Sequence, residues 1–118
     1  MAGALVESIF GGREEAPVIV RTMKGSELEY MEYEPLYPVE REGAKFHYVV
    51  CDGYVTMSDG TGIVHIAPAF GEDDARVGRA YNLPFVQLVD AQGCLTEETK
   101  WPGTFVKDAD KLVLADLK

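Results

Sequence analysis

The run Gly60-Thr61-Gly62-Ile63-Val64-His65-Ile66-Ala67-Pro68-Ala69-Phe70-Gly71-Glu72-Asp73-Asp74 constrains this chain more than any other stretch. Two glycines around one threonine predict a tight turn, because glycine reaches positive φ without steric penalty. Ile63-Val64-His65-Ile66 reads as a short apolar strand, and Pro68 to Gly71 as a loop leaving it. Three consecutive acids then mark a helix start, where negative charge complements the positive end of the helix dipole. The glycines do not form a phosphate-cradling loop: no Lys-Ser/Thr pair follows, and no GxGxxG precedes a helix.

Residues three, four and seven apart share one side of a helix. Asp74 therefore aligns with Val77, Gly78 and Tyr81, whereas Glu72 aligns with Arg76 and Arg79. The second set is a solvated charged stripe; the first is the inward side. The acids could simply cap the helix, but a carboxylate on an apolar face is costly unless it is paired. A substrate ammonium would pair it. His65 sits in an apolar run, where a satisfied core histidine and a catalytic one look alike, and a general base would need an orienting partner. No Ser-His-Asp spacing or GxSxG elbow supplies a nucleophile.

The remaining pattern predicts a short helix over Ala2–Phe10, stopped by Gly11-Gly12. Strands are predicted at Pro17–Thr22, Lys45–Cys51, Tyr54–Met57, Ile63–Ile66 and Phe85–Val89. Tyr54–Met57 and Ile63–Ile66 form a hairpin in this reading, joined through Ser58–Gly62. Helices are predicted over Glu72–Tyr81 and Lys107–Lys118. The expected architecture is mainly β with flanking helices, a small distorted barrel or curled sheet in a single unit spanning 1–118.

Charge limits the partners. The net charge of −9 leaves eleven basic residues scattered along the chain, whereas a nucleic-acid grip needs them clustered. Any nucleic-acid substrate must be held mostly by other parts of a larger protein. No apolar run approaches the ~18 residues that span a membrane, and Met1–Phe10 lacks the basic start of a secretion signal; a cytoplasmic location and no membrane partner are expected. Cys51 and Cys94 stand far apart without a CxxC partner, so two buried, reduced thiols are expected. Zinc held by these cysteines with His47 or His65 fits no finger spacing.

Residues Gly60 to Gly93, above all the string from His65 to Asp74, resemble the editing domain inserted into class I isoleucyl-tRNA synthetases. Weaker similarity extends through Ala4-Leu5-Val6-Glu7 and Tyr33-Glu34-Pro35-Leu36. The resemblance implies a barrel of the valyl/leucyl/isoleucyl type and hydrolysis of valine misattached to isoleucine tRNA. It assigns catalytic roles to Asp74 and His65: Asp74 binds the α-ammonium, and His65 helps exclude isoleucine. Gly62, Ile63, Val64, His65, Ala67, Phe70 and Asp74 are the implied substrate-binding residues. No metal or cofactor is implied for this stretch, while ATP and magnesium belong to the parent enzyme. The implied partner is the acceptor end of isoleucine tRNA, met by a monomer.

One departure matters. The family's pocket also uses a threonine-rich segment upstream, and here Thr56, Thr61, Thr96 and Thr99 are isolated. The HIGH and KMSKS signatures of the synthetic site are missing too, and with them the Rossmann and anticodon-binding domains. The chain thus reads as the C-terminal part of the inserted domain, with half of the pocket elsewhere and weak or no hydrolysis alone. Two other readings stay open. One is a stand-alone module that binds aminoacyl or small amino-acid ligands; the other is a metal hydrolase built on Asp59, His65, Glu72, Asp73 and Asp74.

Overall fold

The computed structural model describes residues 1–118 and contains three helices: α1 (Val6–Phe10), α2 (Glu72–Ala80) and α3 (Val106–Asp116). Short 3-10 turns at Gly3–Leu5 and Gly25–Leu28 complete the regular structure. There is no sheet and no barrel. Strand character is limited to three isolated antiparallel bridges, Glu32 to Tyr48, Val89 to Leu95 and Cys94 to Phe105. The expectation of a mainly β fold is therefore corrected.

The physical reason lies in what a strand requires. A helix closes its hydrogen bonds within itself, but a strand must find them on a neighbour. Residues 17–22 have strand composition and no ladder partner, and Val18 and Val20 remain 86% and 92% exposed. The expected hairpin between residues 54–57 and 63–66 also lacks a ladder. One short run of successive bonds joins residues 30–33 to 47–49: Tyr30 N–H to Val49 O, Val49 N–H to Met31 O, and Tyr33 N–H to His47 O, at 2.8–3.0 Å. Another joins residues 88–96 to one another and to 103–106: Thr96 N–H to Leu88 O, Leu95 N–H to Thr104 O, and Val106 N–H to Gly93 O, at 2.8–3.0 Å. Neither extends into a sheet.

The core is correspondingly small. Leu5, Val77, Gly78 and Ala109 alone are buried, with Val77 fully enclosed. The surface of 9269 Å² exceeds the roughly 6,300 Å² expected of a folded chain of this mass. Likewise, the radius of gyration of 16.8 Å exceeds the ~13.5 Å of a compact domain of this length. What packing exists centres on α2. Gly78 lets Pro68 lie directly on the helix, since a Cβ there would come within 2.9 Å of the proline ring. A second cluster ties residues 37–41 to the C-terminal part: Tyr37 meets Trp101 edge-on at 5.7 Å and donates to Asp116 at 3.0 Å, while Arg41 pairs with Glu98. No helix is long and apolar enough to cross a membrane.

Candidate functional site

Helix α2, the segments that touch it at residues 52–54 and 67–71, and the turn at residues 60–64 carry the candidate site. Gly71 precedes the helix in extended conformation and offers no side-chain cap. Glu72, Asp73 and Asp74 occupy the first turn, where their charge suits the dipole. Their side chains then diverge. Glu72 and Asp73 are exposed, and Asp73 pairs with Arg76 one turn on. Asp74 is half-buried on the side of Val77 and Gly78.

The Asp74 carboxylate is fixed by two neutral donors. Tyr54 donates its hydroxyl to Oδ1 at 3.2 Å, and the Ala67 backbone N–H donates to Oδ2 at 3.2 Å. No lysine, arginine or histidine pairs with it. Each oxygen therefore keeps accepting capacity. The result is an oriented, half-buried anion without a cation. Burial and the neighbouring Asp74 charge push the Tyr54 phenol above its usual range, so it stays a donor at neutral pH.

A second pair locks Tyr54 in place. Arg76 reaches Asp52 through both Nη1 and Nη2 at 2.8 Å, a bidentate geometry, and Asp52 Oδ1 accepts from the Tyr54 backbone N–H at 3.1 Å. The Arg76 guanidinium holds the Asp52 carboxyl down at about 2, with help from the Tyr54 N–H. Below its ordinary 3.8 the unfolded chain takes up a proton that the folded chain refuses until about 2. The clamp therefore stabilises fully above 3.8 and loses that contribution as pH falls toward about 2. Asp52→Asn should abolish this portion of the acid dependence, measured as the loss of α2 amide protection with falling pH. An unchanged acid profile would mean that the clamp does not hold the site.

The turn at Gly60–Gly62 borders a cleft of about 220 Å³ lined by Tyr54, Val55, Thr56, Asp59, Gly60, Thr61, Gly62, Ile63 and Val64. Gly60 and Gly62 take φ of 60° and 71°. A Cβ on Gly62 would lie 2.6 Å from that of Ala2, because the Ala2 N–H donates to Thr61 O at 2.7 Å. Glycine at 62 is thus required twice.

Of the residues singled out from sequence, Gly62, Ile63 and Val64 line the cleft. Asp74 and Ala67 do not line it: Asp74 lies behind Tyr54, whose hydroxyl it accepts, and Ala67 supplies its second donor. His65 is exposed, makes no side-chain hydrogen bond and is not joined to Asp74; Phe70 is 57% exposed. Asp59, His65, Glu72, Asp73 and Asp74 do not converge, and no three His, Cys, Asp or Glu side chains stand close enough to hold a metal ion. Neither the metal-hydrolase reading nor the zinc reading finds a donor set here. Cys51 and Cys94 are free thiols, half-buried rather than buried.

Tyr54, Asp52 and Arg76 were not legible as site residues. Asp52-Gly53 does carry the signature of an Asp side chain turning back on the backbone two residues ahead. Nothing in the sequence pairs it with Arg76, 24 positions away.

No family model matches the chain. The proteins it is similar to are aminoacyl-tRNA synthetases. Specifically, they are isoleucine–tRNA ligases: 45% identical over 119 residues in Clostridium kluyveri, covering all of this chain and 11% of that protein. The ligase of Methanothermobacter thermautotrophicus is 45% identical over 123 residues, again covering the whole chain and 11% of the relative. That of Lactobacillus helveticus is 47% identical over 103 residues, covering 85% of the chain and 10% of the relative. The chain thus spans about a tenth of the length of these relatives, and it is consistent with a partial domain of an isoleucyl-tRNA synthetase.

Proposed function

We propose that this segment serves the proofreading of an isoleucine–tRNA ligase, removing valine from isoleucine tRNA by ester hydrolysis. The observation that carries the reading is the Asp74 carboxylate, oriented by Tyr54 and Ala67 yet unpaired by any protein cation. An α-ammonium completes it, and every aminoacyl ester carries one. In hydrolysis, water oxygen bonds the ester carbonyl carbon, the bond to the ribose oxygen breaks, and that oxygen leaves with a proton. Asp74 anchors the amino acid while this happens; it need not touch the breaking bond.

The turn and apolar wall at Gly62, Ile63 and Val64 suit a small aliphatic side chain. This family is itself the standard example of a double sieve, in which one methylene is worth only ~1–3 kcal/mol and a second pocket must destroy the error. The role of His65 as a size gate rests on the resemblance, since the side chain stands apart from Asp74. The cytoplasmic ligase supplies the tRNA grip that a chain of net charge −9 lacks. The synthetic site, with its ATP and magnesium, belongs in this reading to the rest of the ligase. The test is deacylation of valyl-tRNA against isoleucyl-tRNA by the full-length ligase and its Asp74 variants. Comparable rates on both esters, or a parent-like rate without Asp74, would overturn the proposal.

A further inference from the structure

We propose that Tyr54 is a positioning residue for proofreading, lining the Gly60–Val64 cleft and setting the orientation of Asp74 toward the amino acid. This rests on the reading of Asp74 as the ammonium acceptor and extends it to a second side chain.

Three observations converge on Tyr54. First, its hydroxyl bonds Asp74 Oδ1 at 3.2 Å. With Ala67 N–H on Oδ2, this leaves the carboxylate a single orientation. Second, Tyr54 also lines the cleft, and of the two residues that hydrogen-bond the Asp74 carboxylate it is the one that does so. Third, its backbone is clamped to the helix that carries Asp74. Asp52 accepts the Tyr54 N–H and is gripped by Arg76 two residues beyond Asp74, while the Arg76 guanidinium lies 6.0 Å from the Tyr54 ring centroid.

The chemistry explains why a phenol suits this place. It donates to the carboxylate without carrying positive charge, so it aims Asp74 and does not compete with the ligand. A lysine or arginine here would neutralise the acid and remove its affinity for an ammonium. Removing only the hydroxyl frees the carboxylate to rotate, which weakens anchoring of the amino acid and leaves the ester chemistry intact.

The experiment uses the full-length ligase with Tyr54→Phe, Asp74→Asn and the double variant, on valyl-tRNA and on N-acetyl-valyl-tRNA, which has no ammonium. Tyr54→Phe should raise KM for valyl-tRNA by roughly tenfold, the effect of losing a hydrogen bond to a charged group. Its kcat should stay within about twofold. The increase should vanish on the N-acetyl ester and add nothing to Asp74→Asn. Equal losses on both esters, or additive losses in the double variant, would reduce Tyr54 to general packing and overturn the proposal. An unaltered KM in Tyr54→Phe beside a defective Asp74→Asn would overturn the Tyr54 role alone. Parent-like kinetics in Asp74→Asn would remove the ammonium reading and this inference with it.

Discussion

Asp74→Ala in the full-length ligase is expected to slow valyl-tRNA hydrolysis by about 30- to 160-fold while isoleucine attachment persists. The size follows from what is removed. Truncating one partner of a desolvated, hydrogen-bonded charge pair costs from ~2 to over 5 kcal/mol. Asp74 is only half-buried, so the lower end, about 2–3 kcal/mol, applies at 1.36 kcal/mol per tenfold. A competing account holds that Asp74 merely ties α2 to Tyr54 and to the loop at Ala67. Asp74→Asn separates the two, because an amide keeps an acceptor oxygen and the shape but loses the charge. If charge matters, the asparagine variant should fall nearly as far as alanine in valyl-tRNA hydrolysis. If it retains the parent rate, Asp74 is a structural strut.

What the sequence could say about this site depended on range. The inward placement of Asp74 beside Val77 and Gly78 was readable because helix spacing is a local property, closed within nine residues of α2. Helices α1 and α3 were readable for the same reason, and their observed bounds lie within a few residues of those expected. The strands failed because a strand's identity is settled by its neighbour. Ile63 and Val64 have the composition of a ladder element and are 62% and 48% exposed instead. No partner strand lies beside them among the 118 residues. Tyr54 was hidden by distance alone: it meets Asp74 across 20 positions, and a lone aromatic after an Asp-Gly turn carries no mark of that contact.

The same missing partners lead to the other large expected effect, on the 118-residue chain studied alone. Its surface exceeds that of a compact protein of equal mass by roughly 3,000 Å². The excess includes Val18, Ile19, Val20, Leu36, Met57, Ile63 and Phe85, each more than half exposed. A transition that buries little surface has a shallow dependence on denaturant, so urea should unfold the isolated chain broadly, with a slope below about 1 kcal/mol/M. Amide protection should be confined to α2 and the backbone bonded around it, where Val77 is enclosed and Gly78 meets Pro68. Hydrolysis of valyl-tRNA by the chain alone should fall to about a hundredth of the full-length rate or less. The cleft at Gly60–Val64 lies open to solvent in the isolated chain, so water competes there with the amino acid. Under the proofreading proposal, setting the chain within the full-length ligase should steepen the unfolding transition and raise hydrolysis together. Both measurements are needed, because they fail differently. A sharp transition in the isolated chain would show that the exposed apolar residues need no cover. Full hydrolysis by that chain would show that Asp74, Tyr54 and the Gly60–Val64 turn are sufficient without the rest of the pocket.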